Sequence, residues 1–190
     1  FGTIDSDKLY ELAFDDGLKN TARHTVGFEG PEVAGRVAVS GGVARLDGSS
    51  LLTSTLPYAL EDAVSVCFAA RSTAPERTIF PTYFALGGLR VHKYAFFQDI
   101  SVFFGSELRE PSQPATGDLR VCATAARNGS TRLYVGGLLV AQAPTTGTFP
   151  LSGQFSIGGV AGQDARRVRA ELDEFGMWSR QLSDAEVAEW

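Results

Sequence analysis

Apolar and polar residues alternate along most of this chain with a period of two, the spacing of a half-buried β-strand. In Leu9–Phe14, Tyr10, Leu12 and Phe14 fall on one side and Glu11 on the other, until Asp15-Asp16-Gly17 ends the run with turn-forming residues. Further strand-like runs are predicted at 36–39, 43–47, 63–71, 79–86, 89–97, 100–104, 118–127, 131–135, 138–142, 153–158 and 167–178. Gly41-Gly42, Asp47-Gly48, Gly87-Gly88, Asn128-Gly129 and Gly136-Gly137 punctuate them. Asn and Gly both tolerate positive φ, so Asn128-Gly129 predicts a hairpin closed by a type I′ turn. A second hairpin is predicted at Gly136-Gly137, between Leu133-Tyr134-Val135 and Leu138-Leu139-Val140. The one helix signal is C-terminal: Ser183 and Glu186 have the spacing of a capping box, and Leu182 and Val187 that of a hydrophobic staple. Short strands without long helices between them predict an all-β fold, two antiparallel sheets packed as a sandwich with a short C-terminal helix. No self-similarity recurs at roughly 20–50 residues, which argues against a propeller or solenoid.

Composition narrows the class. A chain of 190 residues suits one domain, and 44% hydrophobic with 21% charged residues is globular rather than disordered. Seventeen Lys and Arg against 22 Asp and Glu leave a net charge of −5, without the positive footprint a nucleic-acid binder needs. No apolar run approaches the roughly 20 residues that cross a bilayer, so no direct membrane insertion is expected of this domain. Phe1 is not an initiator Met, so a processed chain or an excised domain is expected.

Four stretches carry a resemblance to a known family. Leu46-Asp47-Gly48-Ser49 looks like an early "LDG" turn, and Val64-Ser65-Val66-Cys67-Phe68 is similar to an "FTVC" strand. Leu119-Arg120-Val121-Cys122-Ala123-Thr124 followed by Leu133-Tyr134-Val135-Gly136-Gly137 resembles "HICTSW…WVDGK". Glu171–Trp178 followed by Leu182–Val187 resembles "GDIGNVNMWD…LSPDEI". In this order and spacing they resemble the pentraxin and laminin-G-like jelly-roll domains of the concanavalin-type sandwich, from about Leu9 to the end, with the twin cysteines favouring the pentraxin branch. The resemblance implies a single domain over 1–190, excised from a larger extracellular or cell-surface protein.

Alternation places Cys67 with Ser65 and Ala69, and Cys122 with Arg120 and Thr124, on the less apolar sides of their strands. If those strands are neighbours the sulfurs share a face. The resemblance implies that Cys67 and Cys122 form a disulfide, worth roughly 4 kcal/mol in the chain-entropy description. The alternative is two unrelated buried thiols in an intracellular protein. A bridge implies an oxidising compartment, hence an extracellular or cell-surface location. The sequon Asn128-Gly129-Ser130, at an expected exposed turn, makes Asn128 a candidate glycosylation site.

Catalytic chemistry finds little support. Retaining glycosidases of this broad sandwich need two carboxyl groups about 5–5.5 Å apart. Here Glu171-Leu172-Asp173-Glu174 has Phe175 where the second carboxylate belongs, and strict alternation turns Glu174 away from Glu171. His24 and His92 are expected to face solvent, with no nucleophile beside them, and Ser156–Gly162 lacks the Lys-Ser/Thr that follows a phosphate loop. No catalytic residue is therefore assigned.

Calcium is the one cofactor to consider, because pentraxins bind ligands through it. The acidic run that follows the corresponding strand in that family is here shortened to Gln163-Asp164 and followed by Arg166-Arg167-Val168-Arg169, which implies loss of that site. A separate calcium at Asp15, Asp16 and Asp173 is the remaining metal candidate, since first and last strands pair in such sandwiches; a turn stop and a polar strand end explain the same residues.

Aromatic residues crowd into Phe80, Tyr83, Phe84, Tyr94, Phe96, Phe97, Phe103 and Phe104. Adjacent pairs must face opposite ways, which puts one member of each outside the core, where rings stack on sugars or meet a protein. Arg166, Arg167 and Arg169 either attract acidic glycans or form an ordinary solvated loop. The expected function is a non-catalytic recognition or adhesion module for a protein or glycan ligand, with oligomer formation open. A calcium-dependent pentraxin-like lectin is the alternative, and a glycan-cleaving enzyme of the same sandwich class the third reading.

Overall fold

The computed structural model describes residues 7–15, 17–19, 21–22, 31–72, 80–94, 99–110, 117–146 and 150–190. Asp16, His24, Phe96 and Phe97, singled out above, lie outside the described residues. In chain order the strands are β1 (Lys8–Leu12), β2 (Glu32–Ala34), β3 (Val37–Ser40), β4 (Val43–Asp47), β5 (Leu51–Thr53), β6 (Tyr58–Ala59), β7 (Ala63–Ser72), β8 (Thr82–Leu86), β9 (Leu89–Tyr94), β10 (Asp99–Phe104), β11 (Ser106–Glu110), β12 (Gly117–Ala126), β13 (Ser130–Val135), β14 (Leu138–Pro144), β15 (Ser152–Gly153), β16 (Ser156–Ile157) and β17 (Arg169–Trp178). Helix α1 (Asp184–Glu189) closes the series.

Among the described residues these strands form an eight-stranded sheet, β14-β13-β12-β7-β17-β4-β3, with β1 also paired to β17, and a seven-stranded sheet, β11-β10-β9-β8-β16-β5-β2. All pairings are antiparallel, as a jelly-roll sandwich requires. Strand β17 pairs with β7 along its whole length; its other edge is shared between β4 at Arg169–Leu172 and β1 at Phe175–Trp178. First and last strands are thus neighbours.

Alternation decides what lies between the sheets. Val64, Val66, Phe68 and Ala70 of β7 and Leu119, Val121, Ala123 and Ala125 of β12 join the buried inter-sheet core. Rings from both sheets interlock there: Phe68 stacks on Tyr83 at 5.3 Å, and Phe155 lies 4.8 Å from Tyr10 and 5.8 Å from Phe175. Tyr83, Phe84 and Phe104 are fully inside, so three of the six described residues of the aromatic-rich stretch serve the core.

Several strands carry no periodic signal. β2 is exposed at every position, β5 and β6 are two or three residues long, and β11 buries only Leu108 in the polar stretch Ser106–Glu110. Short, polar edges are how sheets avoid pairing with other chains, and the same property hides them from a hydrophobic pattern. The run expected at 153–158 divides into β15, which pairs with β6, and β16, which pairs with β5 and β8.

The two hairpin turns differ. Gly136 and Gly137 have φ of 59° and 80°, a type I′ turn joining β13 to β14. Asn128 and Gly129 do not adopt positive φ. There β12 and β13 pair only as far as Ala125 and Thr131, leaving five residues to cross. The Gly129 amide donates to the Ala126 carbonyl at 3.2 Å, which makes Arg127 and Asn128 the middle of the turn.

The two cysteines oppose each other across β7 and β12, Cα atoms 4.1 Å apart, and are joined as a disulfide. The bridge lies on the solvent side of the eight-stranded sheet, in a second small core with Tyr134, Trp178, Leu182 and Val187. Position 176, opposite Cys67, is glycine because any Cβ there would fall 2.5 Å from the Trp178 ring. Helix α1 covers this cluster. Ser183 and Glu186 form the capping box, and the Ser65 hydroxyl accepts from the Leu182 amide at 2.9 Å and donates to the Arg180 carbonyl at 2.7 Å. Arg180 grips Glu186 with two bonds of 2.6 and 2.9 Å. These bonds, with those from Ser183, lower the Glu186 carboxyl to about 2 against the opposing effect of burial.

Removing the bridge as the Cys67→Ala/Cys122→Ala double variant is expected to cost about 2–4 kcal/mol of unfolding free energy, read by urea titration; an unchanged midpoint would show that the link constrains nothing. Because Glu186 titrates lower folded than unfolded, it contributes stability above about 4.5 that is lost as pH falls toward 2. Glu186→Gln should flatten that part of the acid-denaturation curve, and equal slopes in both proteins would refute the assignment.

Candidate functional site

With alternate side chains committed to the core, ligand chemistry is left to the outward faces. On the eight-stranded sheet, Arg45, Glu171, Arg71 and Asp118 stand in one row across β4, β17, β7 and β12. Arg45 donates to Glu171 at 2.8 Å, and Arg71 reaches both oxygens of Asp118 at 2.7 and 3.3 Å. That bonding holds the Asp118 carboxyl below its usual range. Glu171, Arg71 and Asp118 of this row line a groove of about 590 Å³ together with Ala69, Arg120, Asp173 and Val43. Arg120 stacks on Trp190 at 4.7 Å and lies 3.9 Å from Glu174.

One expectation is corrected here. Strict alternation turned Glu174 away from Glu171, yet both lie on the outer face. Leu172 pairs with Ala70 and Glu174 with the next residue, Ala69, so Asp173 is a bulge, and one extra residue reverses the parity that follows. Each glutamate then meets an arginine, Arg45 or Arg120.

Two of the three calcium candidates, Asp15 and Asp173, fall among the described residues. Asp173 is exposed at the bulge, in the same groove as Arg71 and Arg120. Asp15 follows β1 and packs against the β3–β4 turn, its Oδ1 2.9 Å from where a Gly42 Cβ would stand. Asp16 lies outside the described residues. Among the described residues no three His, Cys, Asp or Glu side chains gather closely enough to hold a metal ion. No binding step is therefore derived through calcium. Asn128 is exposed at its turn, an accessible position for a glycan.

The seven-stranded sheet carries a different surface. Arg90, His92 and Tyr94 of β9, Phe103 of β10 and Glu107 of β11 share its outer face, and Phe80 and Arg166 fold over them from distant loops to line a cleft of about 270 Å³. Phe80 packs edge-on to Tyr94 at 4.6 Å and to His92 at 5.9 Å. Arg109 lies over Tyr94 at 4.1 Å and Arg166 over Phe80 at 5.5 Å. His92 was expected to face solvent; it is only 6% exposed because Phe80 and Arg166, remote in sequence, close over it.

Glu107 organises the polar side of the cleft. It accepts from Arg109 at 2.8 Å, lies 3.2 Å from His92 Nε2 and accepts from the Tyr94 hydroxyl. Burial works to raise this carboxyl, but the bonds from Arg109 and Tyr94 outweigh it and hold it below its usual range. Burial, helped by the charges of Arg166 and Arg109, lowers the His92 imidazole more than Glu107 raises it. A neutral imidazole giving Nε2–H to an ionised Glu107 has an acceptor lone pair on Nδ1. That Nδ1, and the Oγ of its cross-strand partner Ser101, are buried without hydrogen-bond partners among the described residues.

Of the three arginines expected to act together, only Arg166 enters this cleft. Arg167 is buried, bonds Asp164 at 3.1 Å and packs against Gly159, and Arg169 lies against Gly48. Arg90, Glu107 and Arg109 were not singled out by the sequence, and His92 was expected at the surface. Their signal was the two-residue spacing of Arg90-His92-Tyr94 and Glu107-Arg109, which places polar groups and a ring on one face.

Two antiparallel sheets packed face to face in this order make a concanavalin-like jelly-roll sandwich. Residues 77–188 match the laminin G-type family described as the concanavalin A-like lectin/glucanases superfamily, and the chain belongs to that superfamily. No curated protein sequence matches it. Among solved structures it is similar to one reported under the heading that cell entry of botulinum neurotoxin type C depends on interaction with two ganglioside molecules, with TM-score 0.70 and 15% identity over 98% of this chain. The binding domain of botulinum neurotoxin DC is similar too: in complex with SialylT, at TM-score 0.70 and 15% identity, and with rat synaptotagmin II, at 0.70 and 14%, each over 98% of this chain. The chain spans about half the length of these neurotoxin chains, 51% in each case.

With its imidazole titrating lower folded than unfolded, His92 is neutral in the fold, and the unfolded chain takes up a proton that the folded one refuses. Stability should therefore fall as pH drops through about 6.5, the ordinary histidine value. Urea midpoints at roughly pH 7.5 and 5.5 should differ less for His92→Gln than for the parent. The same drop in both proteins would contradict a buried neutral His92.

Proposed function

We propose that this domain is a non-catalytic recognition module for a protein or glycan ligand, working as one unit of a larger extracellular or cell-surface protein. The observation that carries the reading is the Phe80–His92–Tyr94–Arg166 cleft, an aromatic surface flanked by cations on a sheet face that the core does not need. Exposed rings with adjacent charged groups are typical of ligand contacts. The neurotoxin domains of similar fold are described as binding a ganglioside, SialylT or synaptotagmin, which supports a binding role for the fold. The Cys67–Cys122 bridge and the exposed Asn128 fit passage through an oxidising secretory pathway. Glu171 and Glu174 are each held by an arginine, which favours a structural lattice over an acid–nucleophile pair. Asp15, Asp16 and Asp173 remain the residues a calcium-dependent lectin would use.

The test is to screen the purified domain against a glycan array and a library of receptor ectodomains, in EGTA and in calcium. A saturable partner bound equally in both media is the expected result. A partner held only in calcium would transfer the assignment to the lectin reading, and turnover of an arrayed glycan would overturn the non-catalytic one.

A further inference from the structure

Resting on that reading, we propose that the cleft on the seven-stranded sheet takes one carboxylate-bearing sugar ring, with the Arg90 and Arg166 guanidinium groups receiving its acid group and Phe80, Tyr94 and Phe103 receiving its apolar face. Three observations converge on this chemistry. The first is charge. Arg109 is matched by Glu107, whereas neither Arg90 nor Arg166 has an ion-pair partner among the described residues. Arg166 is partly buried, and burial together with the charge of Arg90 lowers its guanidinium. Two cations lining one cleft, neither in an ion pair among the described residues, favour an incoming anion, and a guanidinium fork matches a carboxylate in shape.

The second observation is the character of the walls. Phe80 and Tyr94 meet edge-to-face, and Phe103 shares the lining, so partly exposed rings stand beside the cations. A ligand seated there needs a flat apolar side as well as its charge. A volume of about 270 Å³ holds one ring rather than an extended chain.

The third is the unpaired polar floor. His92 lines the cleft, and its Nδ1, like the Oγ of the directly opposed Ser101, is buried without a partner among the described residues. Buried polar atoms are left open in folded proteins chiefly where water or a ligand completes them. With Nε2–H given to Glu107, Nδ1 accepts, and a water bridging it to a sugar hydroxyl is the complementary donor. An acid group, an apolar face and hydroxyl donors on one ring describe a uronic or sialic acid.

The test compares methyl glucuronide and methyl N-acetylneuraminide with methyl glucoside as the matched neutral sugar, by titration calorimetry or saturation-transfer NMR in EGTA. The carboxylated sugars should bind at least about tenfold more tightly than the glucoside, and the difference should shrink with added salt. Arg166→Gln and Arg90→Gln should each remove most of that preference, with melting curves confirming that the variants fold. Equal binding of glucoside and glucuronide would overturn the proposal, as would tighter binding of a sulfated monosaccharide or of an acetylated glutamate peptide. If no carboxylated sugar binds while the array still yields a partner unaffected by Arg166→Gln, the recognition reading stands and this site assignment fails.

Discussion

The pairing of β17 with β7 is the constraint on which the rest depends. It runs from Ala170–Ser72 to Trp178–Ser65 through the middle of the eight-stranded sheet, and so fixes the faces of every strand hydrogen-bonded outward from it. Because β17 shares its other edge between β4 and β1, the ladder also joins the beginning of the described chain to its end. The inter-sheet rings Phe68 and Phe175, directly opposed in this ladder, meet Tyr83, Phe84 and Phe155 only because it presents them inward. The single bulge at Asp173 lets both ends of one long strand serve different purposes. Before it the outward positions enter the charged row; beyond it they carry Glu174, Gly176 and Trp178 toward the helix.

The two outer faces have contrasting electrostatics. On the eight-stranded sheet Arg45 meets Glu171 and Arg71 meets Asp118 across neighbouring strands, in pairs whose exposure limits them to modest stabilising effects. On the seven-stranded sheet the charges are unevenly matched: Glu107 is shared among Arg109, His92 and Tyr94, and further guanidinium groups remain beside it. A matched surface has little to gain from a charged ligand. An unmatched one does, and there the rings are also concentrated.

Much of the fold was legible because alternation and turn chemistry agreed. The inward set Leu119, Val121, Ala123 and Ala125, the outward placement of both cysteines, the Gly136-Gly137 turn and the Ser183–Glu186 cap all follow from local sequence. What escaped depended on partners distant in the chain. A bulge is set by how two strands register, so nothing within Glu171-Leu172-Asp173-Glu174 announces it. His92 is buried by Phe80 and Arg166, which no local pattern brings together. The turn at Asn128-Gly129 is governed by where the β12–β13 ladder stops, and β11 is an edge too polar for the hydrophobic rhythm to detect.

The disulfide joins two adjacent strands of one sheet, and the chain holds no other cysteine. No disulfide therefore joins the two sheets: one layer is stapled within itself, while side-chain contact between the layers rests on interlocked rings and aliphatic groups. Under mechanical load the two layers should behave as separable plates, the stapled one resisting unzipping while the seam between them gives way first.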